Sequence, residues 1–92
     1  MKTYQLTLAG VLDYGRSFTK WLAGDTIDNV TWVIGTGLAI VSQGLTGDTP
    51  WAFLRVDGAQ IKDTIYCTVR VHTVGGRTEE RSFRIKIVEY KS

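Results

Sequence analysis

His72 is the only histidine and Cys67 the only cysteine, so any thiol–imidazole pair must come from the run TIYCTVRVHT, which holds both. Such a pair needs the two groups within hydrogen-bonding reach. Side chains alternate with period two along an extended segment, so residues five apart project from opposite faces and form no dyad. A hydroxyl nucleophile would depend on the same His72, and the Gly-x-Ser-x-Gly context that would support one is missing. Asp25 and Asp28 in GDTIDN, with Asp13, are the only grouping that suggests a cation. Two carboxylates three apart lack the number and rhythm of oxygen ligands that calcium loops supply, so they read as turn-forming or capping residues. GTG and GLTG are not followed by the Gly-Lys-Ser/Thr that contacts phosphate and magnesium, and read as turns. The residues give no catalytic, metal or cofactor site, and no small-molecule ligand.

What remains is surface. Residues 1–63 carry five basic and six acidic side chains, whereas 64–92 carry six basic and three acidic, so the excess of +3 in the second part exceeds the chain's net +2. Arg70, His72, Arg84 and Lys86 share the parity opposite to Ile65, Cys67, Val69, Val71 and Phe83, Ile85, Ile87, and should line the outer face of a hairpin. With the hairpin centred near Arg77, Val71 opposes Phe83 and Arg70 opposes Arg84, a like-charge pair that costs a few tenths to about 1 kcal/mol unless acids intervene. Two readings follow: a solvated face with Glu79, Glu80 or Glu89 nearby, or a docking face for an acidic protein surface. Nucleic acid is disfavoured, because Tyr66 is the sole aromatic interleaved with these charges. In PWAFLRV, Trp51, Phe53 and Arg55 alternate with Ala52, Leu54 and Val56. Either the small set fills the core and the aromatics lie outside, as protein interfaces favour, or the aromatics are inside and Arg55 snorkels.

These residues need a frame of strands to hold them. No stretch keeps a helical period through a dozen residues, and turn-rich segments separate short extended ones, so the chain reads as all-β. Strands are expected at Tyr4 to Leu8, Phe18 to Leu22, Val30 to Ile34, Leu38 to Ser42, Ala52 to Val56, Ile65 to Thr73 and Ser82 to Val88. Ninety-two residues suit one domain, with residues 1–10 as an edge strand or a docking arm. Trp32, in VTWVI, resembles the core tryptophan of an immunoglobulin-like sandwich, without the usual disulfide because Cys67 is alone. Its expected neighbours are Val69, Val71, Phe83 and Ile85. The lone thiol on an apolar face suits a reducing compartment, and no apolar run approaches a signal-peptide core or a membrane span.

VLDYGRSFTKWLAGDTIDNVTW, followed after a spacer by TVRVHTVGGRTEERSFRIKI, resembles the small phage fiber-tail adaptor family. The first block carries Asp13-Tyr14, Trp21-Leu22, Asp25-Thr26-Ile27 and Trp32; the second carries Thr73, Gly76-Arg77, Glu80-Arg81 and the Phe83, Ile85, Ile87 strand. The leading MKTYQLTLAG lacks the Asp-Pro stretch expected there, and Gly35 to Lys62 matches poorly, so contact residues cannot be carried over. The resemblance implies a noncatalytic virion protein with an immunoglobulin-like sandwich, joining fibers to the tail or baseplate. It would bind tail or baseplate proteins and fiber N-termini, in several copies of a symmetric assembly, in the virion tail after assembly in the host cytoplasm. The alternatives are a phage regulator or inhibitor of a host protein, and a capsid decoration or adhesion module. Candidate contacts are edge strands and Trp51, Phe53, Arg55, Arg70, His72, Arg84 and Lys86.

Overall fold

The computed structural model describes residues 1–91 and contains seven strands and one helical turn. They are β1 (Thr3–Thr7), β2 (Val11–Gly15), α1 (Thr19–Leu22), β3 (Ile27–Ile34), β4 (Leu38–Thr46), β5 (Thr49–Val56), β6 (Thr64–Thr73) and β7 (Thr78–Val88). One sheet has the order β1-β7-β6-β3 and the other β2-β5-β4, and the two pack as a sandwich. All pairings are antiparallel except that of β1 with β7. The amino-terminal segment is therefore an edge strand, and the chain changes layers between Thr7 and Val11, where the Gly10 amide donates to the Thr7 carbonyl at 3.1 Å.

Alternation fills the core. Leu6, Ile65, Cys67, Val69, Val71, Phe83, Ile85 and Ile87 from the larger sheet meet Tyr14, Leu38, Ala52 and Leu54 from the smaller. The expected inner set of the β6–β7 hairpin is thus buried throughout. Trp32 is partly buried against this core and pairs in register with Val69, while its ring meets Tyr14 edge-on at 6.0 Å. No disulfide links the layers, and Cys67 is free and buried. Aromatic packing spans them instead: Tyr14 of β2 stacks on Phe83 of β7 at 3.8 Å, and Tyr4 of β1 meets both rings edge-on. Such pairs contribute about 0.5–1.5 kcal/mol beyond the area they bury.

Two expectations are corrected. Phe18 to Leu22 is not a strand. Phe18, Trp21 and Leu22 have the i, i+3, i+4 spacing of one helix face, Phe18 and Leu22 are buried together, and the Leu22 amide donates to the Phe18 carbonyl at 2.8 Å. The turn stops where Ala23 and Gly24 take positive φ of 50° and 93°. Its place in the strand count is taken by β2, whose Leu12 and Tyr14 point inward.

The hairpin register also differs. Cys67, not Val71, opposes Phe83, and Arg70 opposes Glu80, not Arg84. The reversal lies two residues earlier than Arg77 because Gly76, at φ 87°, supplies the left-handed turn residue. The Thr73 carbonyl accepts from the Gly76 amide at 3.0 Å, and the Thr73 hydroxyl from the Arg77 amide at 2.9 Å. Sliding each strand by two leaves inward and outward sets unchanged while replacing every partner.

Candidate docking surfaces

The catalytic and metal candidates stay apart. Cys67 is buried, which raises its thiol pKa, while His72 lies on the outer face with Nδ1 at 3.0 Å from the Thr78 hydroxyl. Asp28 is exposed, and Asp13 sits on the outer face of β2 opposite Phe53. Among the described residues no three His, Cys, Asp or Glu side chains gather as a metal ion would require, and no helix is long and apolar enough to cross a membrane.

On the three-stranded sheet, Ala52 and Leu54 are fully buried, so Trp51, Phe53 and Arg55 take the outer face. Phe53 is 40% exposed, and its ring lies 5.6 Å from that of Trp51. Trp51 is held by its Nε1, which donates to the Thr46 hydroxyl at 3.1 Å, and it lies across Gly44, where any Cβ would run into the indole. Arg55 donates from Nη1 to its neighbour's carbonyl, at Val56, 3.1 Å away. Val11, paired with Arg55 across β2, and Val41, at the β4 bulge, are also exposed. The face is an aromatic pair with an aliphatic rim, one cation in Arg55 and one carboxylate in Asp13, which sits opposite Phe53.

The larger sheet presents a different surface. Across β6 and β7 the outward residues pair as His72 with Thr78, Arg70 with Glu80, Thr68 with Ser82, Tyr66 with Arg84 and Thr64 with Lys86. The first three are joined directly: at 3.0 Å, by an ion pair of 2.6 Å, and through hydroxyls at 2.9 Å. Arg70 is therefore neutralised by Glu80, and the like-charge pair expected on this face does not occur. Among the described residues, the unbalanced charge of this face sits at the far end, on exposed Lys86 and half-buried Arg84, whose Nη2 donates to the Met1 carbonyl at 3.1 Å. Tyr66 beside them is 61% exposed.

A third cluster was not anticipated as a unit. Arg77, at the β6–β7 turn, donates from Nη1 to the Trp21 carbonyl at 3.1 Å, from Nη2 to the Leu22 carbonyl at 2.6 Å and from Nε to Asp25 at 3.2 Å. Its guanidinium lies 4.4 Å from the Trp21 ring centre. One planar cation thus satisfies the open carbonyls of α1, pairs with a carboxylate and stacks on an indole, a combination that lysine cannot make. Asp25 also accepts from the Thr26 and Gly75 amides, at 2.8 and 3.2 Å. The Thr73 hydroxyl, these amides and Arg77 hold its carboxyl below the usual range. The only sequence signal was that Trp21-Leu22 and Asp25-Thr26 fall in one block of the resemblance and Thr73 and Gly76-Arg77 in the other. Spacing alone could not join residues some fifty positions apart.

Tyr14, Phe83 and Trp32, which bridge the layers, belong to the same two blocks. The quoted residues are thus largely those that clamp one end of the sandwich and pin its sheets. No curated protein matches the chain. A family model described as podophage GP4 fiber-tail adaptor protein gp77 matches residues 7–86 of the 92, from the end of β1 to within β7, and the chain belongs to that family.

Proposed function

We propose that this chain is a noncatalytic virion protein that joins tail fibers to the tail or baseplate, built into the tail in several copies after assembly in the host cytoplasm. What supports the reading, beyond membership of an adaptor family, is that its two sheet faces differ in chemistry. The Trp51–Phe53 pair, with Val11 and Arg55, suits a hydrophobic partner surface, because aromatics and arginine dominate the energetics of protein interfaces. The hydrogen-bonded face of β6 and β7, with Lys86 and Arg84 at one end, suits a polar partner with compensating acids. A plate with two unlike faces can hold two unlike proteins. We read the whole chain as one immunoglobulin-like domain: lettered in chain order, the pairings β2-β5-β4 and β7-β6-β3 are B-E-D and G-F-C.

The test is the composition and assembly of particles. Phe53→Glu leaves the core untouched but sets a second acid opposite Asp13, so stability should fall by no more than about 1 kcal/mol. It should also cut incorporation of the chain, or of the fibers, into purified particles by about tenfold or more, the effect of losing a hot-spot aromatic. Mass spectrometry of particles and imaging of the chain's position read the outcome. Particles carrying the Phe53→Glu chain and a full set of fibers would sink the aromatic face as a contact. Absence of the parent chain from particles would favour a regulator acting on a host protein instead.

A further inference from the structure

Beside the Arg77 cluster lies an open pocket of about 420 Å³ between α1 and β7, lined by Arg16, Ser17, Phe18, Thr19, Lys20, Trp21 and Arg81. We propose that it receives the carboxylate side chains of an acidic segment of a partner protein. The inference rests on the reading of the chain as a protein-binding adaptor and adds to it a third contact with defined chemistry.

Three of the seven lining residues are cations and none is an acid. Arg16 and Lys20 have no carboxylate within ion-pairing distance among the described residues. Arg81 pairs with Glu79 at 2.8 Å and donates to the Glu80 carbonyl at 2.9 Å, both through Nη1, so the Nε and Nη2 edge of its guanidinium carries neither contact. That guanidinium is fixed in place over the Phe18 ring, 5.4 Å from its centre. The Ser17 and Thr19 hydroxyls are 3.0 Å apart and Ser17 also accepts from the Thr19 amide, so one hydroxyl proton is spent between them and the other is free to donate. The site thus presents charge-assisted donors around an aromatic floor of Phe18 and Trp21, whose rings meet edge-on.

Size and surroundings choose the occupant. A single inorganic anion fills little of 420 Å³, a volume within the range of roughly 300–1,000 Å³ that takes ligands with several side-chain-sized groups. A nucleic-acid strand is opposed by the flanks, because Glu79, paired with Arg81, and Asp25, beyond Trp21, place carboxylates where further phosphates would run. Carboxylates delivered one or two at a time by a flexible segment avoid those acids.

The test uses the full chain, isotopically labelled, titrated with hexaglutamate at low and physiological salt. The Trp21 indole N–H and the Arg16 and Arg81 Nε–H resonances should shift together and saturate. Arg16→Glu with Lys20→Glu should weaken binding about tenfold or more, whereas the charge-matched pair Arg55→Glu with Lys86→Glu should change it less than about twofold. All four side chains are exposed, so Tm reports whether each variant still folds. Equal weakening by both pairs, shifts mapping elsewhere, or tighter binding of a DNA duplex at the same resonances would overturn the proposal. Particle incorporation of the parent chain is a separate readout, so the pocket and the adaptor reading fail independently.

Discussion

Arg77 shows how much one side chain can hold. Its guanidinium ties the β6–β7 turn to the carbonyls that end α1 and to Asp25, so three chain segments are fixed by one planar cation. The acid partner makes this pH-sensitive. Because hydrogen bonds depress the folded carboxyl below its ordinary 3.8, the charge of Asp25 contributes fully above that value and its contribution is lost as pH falls through the lower folded one. Asp25→Asn should therefore lower Tm at neutral pH, and the gap to the parent should close in the acid range below 3.8. A gap that stayed constant with pH would mean that the carboxylate's charge plays no part. Local sequence does not reveal this: GDTIDN reads as a turn with two acids, and nothing in it says that a guanidinium from the other half of the chain meets one of them.

At the scale of elements, the β6–β7 hairpin separates what alternation can tell from what it cannot. Ile65, Cys67, Val69 and Val71 were assignable to the inner face because burial repeats every second residue, and any even slip preserves that set. The partners were not assignable, because Val71 opposite Phe83 and Cys67 opposite Phe83 bury the same residues. The turn decides between them, through Gly76 at φ 87° with open space where a Cβ would go. Gly76→Ala should then cost about 1–2 kcal/mol through backbone strain alone, whereas Gly76→Asn, which tolerates this conformation, should cost less. In Tm the alanine change corresponds to roughly 4–8 °C per kcal/mol for a domain of this size. Equal losses for the two would remove the left-handed turn as the cause. The α1 turn was missed for another reason: four residues give barely one helical repeat, too few to distinguish from a short strand ending in an apolar pair.

For the molecule as a whole, the two layers are joined by side-chain packing, with the Tyr14–Phe83 stack at its centre. Tyr14→Ala should cost about 3–5 kcal/mol, the usual penalty for deleting a buried aromatic, against a total stability of roughly 5–15 kcal/mol. Tyr14→Phe, which keeps the stack, should stay within about 1.5 kcal/mol of the parent. Chemical denaturation of the three chains orders them, and a mild Tyr14→Ala would mean that the sheets are held elsewhere. The all-β sandwich was readable from the rhythm of the strands, and Trp32 as an inner aromatic from its setting in VTWVI. The choice between the two faces of β5 was not, since both are apolar in sequence; Gly44, by making room for Trp51 on the outside, is the residue that settles it.

The parallel pairing of β1 with β7 carries a consequence for how the first strand is kept in its own molecule. The slot alongside β7 is filled by backbone amides and carbonyls, which are blind to the molecule that supplies them. Self is chosen only because Leu8, Ala9 and Gly10 form so short a tether that β1 is always at hand in high local concentration. Lengthening or cutting that tether should make the first strand an exchangeable part, passed between molecules by the same bonds that now close one, and a change in oligomeric state on lengthening would report it.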